Sequence, residues 1–286
     1  QYEMQQKVND SRVSFFIGDV RDNERLNRAL QADVDILIHA AALKQVPACE
    51  YNPFEAIKTN IVGAENIINS AIDCGVKKII ALSTDKAVNP INLYGATKLC
   101  AEKLFVQGNS YAGSKNTHFS CVRYGNVIGS RGSVVPLFLK QRESGCVTVT
   151  DKRMTRFWIT LNRGVDFVIQ CLSLMHGGEI FVPRIPSMNI MDLVKTIAPE
   201  CEIEYSGIRP GEKLHEVLIS SDESLRTVKH DNMFVIQPQF SWWRKKVSSK
   251  SSKLPEGFIY SSDTNTDMLS KDGLNTMIQE MQATEK

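Results

Sequence analysis

Short apolar runs of strand length alternate along the chain with longer stretches in which apolar residues recur every three or four positions. That is the order of βαβ units building a parallel sheet. Val13–Ile17, Val34–Ala40, Lys78–Leu82 and Phe119–Arg123 read as strands, Asn23–Leu30 as a short helix, and Pro53–Cys74 and Tyr94–Val106 as longer amphipathic helices. Beyond Gly132 the pattern shortens to helices near Val134–Glu143, Asn162–Met175 and Met191–Ala198 and brief strands at Val147–Val149, Ile180–Val182 and Glu202–Tyr205. The expected fold class is α/β, a doubly wound parallel sheet with a smaller C-terminal substrate lobe. Residues 1–132 are assigned to the sheet domain and 133–286 mainly to the lobe and tail, with the chain free to cross back to the sheet. Arg244–Lys253 is polar, basic and poor in apolar anchors, which predicts a mobile loop.

Composition narrows the class. The chain has 286 residues, 42% hydrophobic and 23% charged, enough to bury a large core. Lys plus Arg number 34 against 32 Asp plus Glu, so no basic face for nucleic acid is implied. No apolar run approaches the roughly 18 residues of a membrane-spanning helix. The seven cysteines show no metal-ligand spacing, which argues against a zinc site or a disulfide framework and fits a reducing cytoplasm. The expected partner is a small charged metabolite.

Chemistry concentrates in Ala81–Lys98, ALSTDKAVNPINLYGATK, where a buried strand ends in Ser83-Thr84-Asp85-Lys86 and a turn-rich loop leads to a helix opening at Tyr94. Tyr94 and Lys98, four apart, share one helical face. From there the ammonium is expected to bring the phenol's pKa down from about 10 and make it a general base for a hydroxyl. Tyr111 and Lys115 repeat the spacing, but Tyr111 ends a helix whereas Tyr94 starts one after a strand terminus.

This segment resembles the inverting UDP-N-acetylglucosamine 4,6-dehydratases, extended short-chain dehydrogenases/reductases that open pseudaminic acid synthesis for flagellin glycosylation. The resemblance runs on through FFIGDVRD (15–22), IHAAALKQVPACEYNP (38–53), KTNIVGA (58–64), RYGNVIGSRGSVVP (123–136), RMTRFWIT (153–160), HGGEIFVPRIPSM (176–188) and GIRPGEKLHE (207–216). It implies a Rossmann-like NADP-binding domain, a UDP-N-acetylglucosamine substrate, a homo-oligomer and a cytoplasmic enzyme. It also implies an internal redox cycle. Tyr94 removes the 4-hydroxyl proton as hydride passes to the nicotinamide, Lys86 takes the C5 proton, Asp85 protonates the departing 6-hydroxyl, and hydride returns to C6. Lys86 must then be uncharged, and Lys98, the oxidised nicotinamide and desolvation are expected to lower its pKa.

By the same resemblance Thr84 meets the 4-hydroxyl or ketone; Asp19, Val20, Ala40, Ala41, Ala42, Asn60, Val127 and Arg131 border the cofactor with Tyr94 and Lys98; and Lys44, Asn126, Thr148, Arg156, Arg209 and Glu212 join Thr84 and Asp85 around the nucleotide-sugar. Plainer readings stand beside these. Asp19 suits the N-cap of the Asn23–Leu30 helix, Lys44 and Arg156 suit surface charges, the glycines of GNVIGSRG suit turns, and His39 suits a hydrogen-bonded core histidine. Trp158 and the Trp242-Trp243 pair suit packing.

The family's opening strand, its Gly-rich phosphate turn and the strand end that selects NADP over NAD have no counterpart here, so NAD stays open. The expectation is a sheet lacking its first strands and a 286-residue chain with little turnover. The rivals are a UDP-sugar 4-epimerase, which needs no Asp-Lys couple, and an inactive nucleotide-sugar-binding protein.

Overall fold

Ile79 and Ile80 point to opposite faces of one strand and both are fully buried, as a central parallel strand covered by helices on both sides requires. The computed structural model describes residues 1–8, 10–130, 132–239 and 251–285. Within them Lys78–Leu82 pairs in parallel with Ile36–His39 on one side and His118–Val122 on the other. Ile180–Pro183 follows, also parallel. Met233–Ile236, Thr227–His230 and Ser252–Lys253 then add an antiparallel edge, making seven strands among the described residues.

Three expectations change here. Ile180–Pro183, read as lobe, belongs to the large sheet, where all four of its residues are buried. Val13–Ile17 forms no strand and pairs with nothing among the described residues, and Phe16 and Ile17 are exposed; apolar alternation without a ladder partner does not hold an extended segment. Of the expected loop 244–253, Ser252 and Lys253 pair with Val228 and Lys229, while 244–250 and Trp242-Trp243 lie outside the described residues.

The long helix expected over Pro53–Cys74 is three pieces: Pro53–Ile57, a wide π-helical turn at Lys58–Val62, and Gly63–Asp73. Such a turn re-aims side chains and recurs at functional sites. Here it carries Asn60. The helix expected at Tyr94 runs Leu93–Tyr111, and the Asn92 side chain caps it by accepting from the Gly95 N–H at 2.7 Å.

The smaller lobe has its own core around Trp158, Phe138 and Leu193. Asn126–Val127, Thr155–Ile159 and Ser187–Asn189 form one small sheet, and Cys146–Val149 with Glu202–Tyr205 another. Trp158 is buried and packs there, as its plainer reading held. Among the described residues no helix is long and apolar enough to cross a membrane, and no group of His, Cys, Asp and Glu can hold a metal ion.

Candidate active site

The site begins where Lys78–Leu82 runs out. Thr84 is extended and starts a single tight turn, Asp85–Ala87, accepting a hydrogen bond at Oγ1 from the Lys86 N–H. Its hydroxyl donates to Asp85 Oδ1 at 2.7 Å, and Lys86 Nζ donates to the same oxygen at 3.0 Å. Asp85 is fully buried, while the Lys86 side chain keeps 28% exposure and so reaches the opening. Asp85 Oδ2 and Ser83 Oγ are buried with no partner among the described residues.

The Leu93–Tyr111 helix packs against this turn through Gly95. A Cβ there would collide with the Lys86 carbonyl oxygen, so the glycine of YGATK is what lets the helix approach. Tyr94 is buried beside Thr84 and Lys86, which both act on its phenol. Asn60 fixes the arrangement from behind: its amide donates to the Leu43 carbonyl and to Thr97 Oγ1, both at 2.9 Å, and accepts from the Leu43 N–H at 2.8 Å. Both ends of the amide are thereby engaged with protein. Asn60 therefore ties the helix to the loop after Ile36–His39.

Two electrostatic expectations are overturned. Burial first pushes the Tyr94 phenol up, to about 12, and the Thr84 hydrogen bond and the Lys86 charge only partly oppose it. The Lys98 ammonium gives one of its N–H groups to the Leu82 carbonyl at 2.6 Å, and burial lowers its pKa. For Lys86, burial alone would lower the pKa, but Asp85 and a second carboxylate, Glu216, outweigh it and raise the pKa instead. Glu216 Oε1 lies 3.5 Å from Lys86 Nζ and 3.9 Å from Arg156 Nε.

Glu216 is the residue that sequence reasoning missed. It closed the GIRPGEKLHE match unremarked, yet it stands directly before the apolar run Val217–Ile219, where a side chain is drawn into the interior. Arg156, one plainer reading of which was a surface charge, is a site residue. Its guanidinium donates to the carbonyls of Thr155, Leu214 and Lys213, which ties it to the segment that carries Glu216.

The other candidates fall into two groups. Ala40, Ala41 and Ala42 follow the end of Ile36–His39, the first two exposed, and Asn126 and Val127 pair with Trp158 and Ile159. Together they rim the carboxyl ends of the parallel strands, where open α/β sheets receive ligands. Asn92 Nδ2 donates to the Gly211 carbonyl at 2.8 Å, holding the turn of Arg209 and Glu212 over the cap of the Tyr94 helix. Lys44 is exposed, and Val20 packs under Gly63. Thr148 bonds Gln141 within the lobe. Asp19 is not the helix cap, since Asp22 accepts from the Arg25 N–H; Asp19 pairs with Arg21 instead. Gly129 takes a positive φ of 80°, and a Cβ there would also meet the Met281 side chain. Arg131 lies outside the described residues. His39 is a core residue against the Phe105 ring, its pKa lowered to about 4 by burial and then by Lys98.

A nicotinamide nucleotide fits these residues. Among the described residues the Lys98 ammonium makes one hydrogen bond, leaving two N–H groups for ribose hydroxyls. Ser83 Oγ has an open valence at the same strand end, and the small side chains 40–42 let a ligand approach the backbone.

Comparison with known proteins agrees with this geometry. A Campylobacter jejuni protein named UDP-N-acetylglucosamine 4,6-dehydratase (inverting) is 54% identical over 274 residues, covering 93% of this chain and 82% of that protein. The X-ray structure of Pen from Bacillus thuringiensis superposes with a TM-score of 0.90 at 38% identity, covering 98% of this chain and 86% of that one. The dTDP-glucose 4,6-dehydratase DesIV of Streptomyces venezuelae, solved with NAD, shares the fold at a TM-score of 0.66 and 21% identity over 75% of this chain and 73% of its own. The family model described as polysaccharide biosynthesis protein matches residues 1–238, and the chain belongs to that family.

Proposed function

We propose that the protein removes water from UDP-N-acetylglucosamine, giving a UDP-4-keto-6-deoxy sugar with inversion at C5. One observation carries this: a buried Asp85 and a partly open Lys86 share a hydrogen bond beside Tyr94 at the end of a parallel strand. Oxidation at C4 alone needs only a tyrosine and a cofactor. An acid and a base set side by side are needed where a C–H and a C–O bond break on neighbouring carbons, and Asp85 with Lys86 is such a couple. That requirement, with the 54% identical dehydratase, favours dehydration over 4-epimerisation.

A bound nicotinamide, NADP by the family resemblance, supplies the acceptor for the C4 hydride and its return to C6. Tyr94 takes the 4-hydroxyl proton, and Thr84, beside it, orients the oxygen. With C4 a ketone, Lys86 Nζ removes the C5 proton and Asp85 protonates the 6-hydroxyl as it leaves. Arg209 and Glu212, on the turn whose Gly211 carbonyl accepts from Asn92, receive the nucleotide in this reading, the guanidinium suiting a diphosphate and the carboxylate suiting ribose hydroxyls.

Replacing Lys86 separates the half-reactions. In the protein carrying this chain, Lys86→Ala is expected to keep C4 oxidation, seen as reduction of bound nicotinamide, while water loss falls by about 10² to 10⁴. Unchanged dehydration by that variant overturns the reading. Tighter binding of NAD than of NADP by the unaltered protein, measured by cofactor fluorescence, overturns the cofactor assignment.

A further inference from the structure

The dehydration chemistry leaves one difficulty: a lysine that abstracts a proton must first lose its own, and Lys86 sits between two carboxylates that hold that proton on. Asp85 is committed: its Oδ1 takes both Thr84 and Lys86, and for the leaving hydroxyl it must carry a proton of its own, on the otherwise unpartnered Oδ2. Glu216 is not committed. It is 3% exposed, its Oε1 faces the Lys86 ammonium at 3.5 Å with Arg156 at 3.9 Å, and its Oε2 is buried with no partner among the described residues. The Glu216 backbone is pinned: its N–H donates to Ser262 Oγ at 2.9 Å and its carbonyl accepts from the Ser262 N–H at 2.9 Å, while the nearby Lys213 Nζ donates to the Val88 carbonyl at 2.6 Å. The carboxylate is thus held in place against the Lys86 turn although it comes from a distant part of the chain.

We propose that Glu216 is a positioning residue that holds Lys86 and exchanges a proton with it, taking the Nζ proton onto Oε1 so that the neutral amine is free to attack C5–H. This rests on the reading of Lys86 as the C5 base. The step balances: an N–H bond breaks, an O–H bond forms, and an ammonium–carboxylate pair becomes an amine–carboxylic acid pair with no change in net charge. The amine then takes the C5 proton, and the C–H electron pair passes into the enolate of the C4 ketone. Burial favours the neutral pair, while the charges of Asp85 and Glu216 that raise the Lys86 pKa oppose it. Burial raises the Glu216 pKa, with Lys86, Arg156 and Lys213 pulling down and Asp85 pushing up, and a buried carboxylate with an unsatisfied oxygen gains by becoming neutral. The other charged or titratable groups facing the pair are Asp85, Arg156, Lys213 and Tyr94.

The test is exchange of the C5 hydrogen with D2O, read beside nicotinamide reduction. In Glu216→Gln, C4 oxidation and KM are expected to stay within about threefold, while C5 exchange and kcat fall about 100-fold at neutral pH. Exchange by this variant should then climb about tenfold per pH unit, because the amine must lose its proton to bulk water; the unaltered protein should be flatter. Glu216→Asp, one methylene shorter, should recover part of the loss. Wild-type exchange in Glu216→Gln overturns the proposal. So does parallel loss of oxidation and exchange in both variants, which would give Glu216 a purely structural role. Full exchange in Lys86→Ala would overturn instead the reading of Lys86 on which the proposal rests.

Discussion

Tyr94 shows how burial and function oppose each other in one side chain. Burial pushes the phenol up, to about 12, so its work as a base depends on the Lys86 charge and on Thr84, which pull the other way. Removing the phenol oxygen in Tyr94→Phe is expected to cost C4 oxidation about 10²-fold or more while UDP-sugar affinity, measured by calorimetry, stays near normal. His39 gives a second prediction. Its folded pKa, about 4, lies below its ordinary 6.5, so it is neutral in both states at pH 7, and only the unfolded chain gains a proton as pH drops below 6.5. Stability should therefore fall between pH 6.5 and 4 by up to about 3 kcal/mol from this residue. Urea unfolding of His39→Phe should lack that component; an unchanged slope would mean that the ring is not held neutral.

The Tyr94 helix is positioned by a missing side chain and a cap. Because a Cβ at Gly95 would occupy the Lys86 carbonyl, Gly95→Ala must push the helix off the turn; about 1 to 3 kcal/mol of stability and most of the turnover should be lost together, by thermal melting and kcat. An intact melting temperature with normal kcat would show that the two elements slide freely. At this scale the sequence was legible where chemistry is local. Thr84 to Lys98 lies in one strand-turn-helix, so strand end, cap and i,i+4 spacing could all be read directly. Glu216 was not legible, because its partner is brought to it only by the packing of the lobe segment. The wide turn at Lys58–Val62 hides inside a smooth apolar period. Val13–Ile17 has a strand's pattern but no strand to pair with, and pattern reports the face a residue prefers, not its ladder partner.

Across the molecule, Arg123 ties the pieces into one frame. Fully buried at the end of His118–Val122, it binds Glu102 of the Tyr94 helix at 2.6 and 2.9 Å, Glu223 at 3.0 Å and the Leu218 carbonyl at 2.9 Å. Sheet, catalytic helix and the segment after Glu216 thus meet on one guanidinium. Arg123→Met strands two carboxylates and should cost about 3 to 5 kcal/mol in urea unfolding, with Arg123→Met/Glu102→Leu recovering part of it. A cost well under that range would mean the frame is held by its apolar contacts alone. The cluster at Lys86 has a different bearing, on how such an enzyme can diverge. Asp85 and Glu216 are offset by Lys86 and Arg156, a buried set close to electroneutral. Exchanging Lys86 for an acid would set three carboxylates against Arg156 and Lys213. A single substitution there therefore meets a charge cost before any chemical one, and the change that would relieve it lies at Glu216, far along the gene from Asp85 and Lys86.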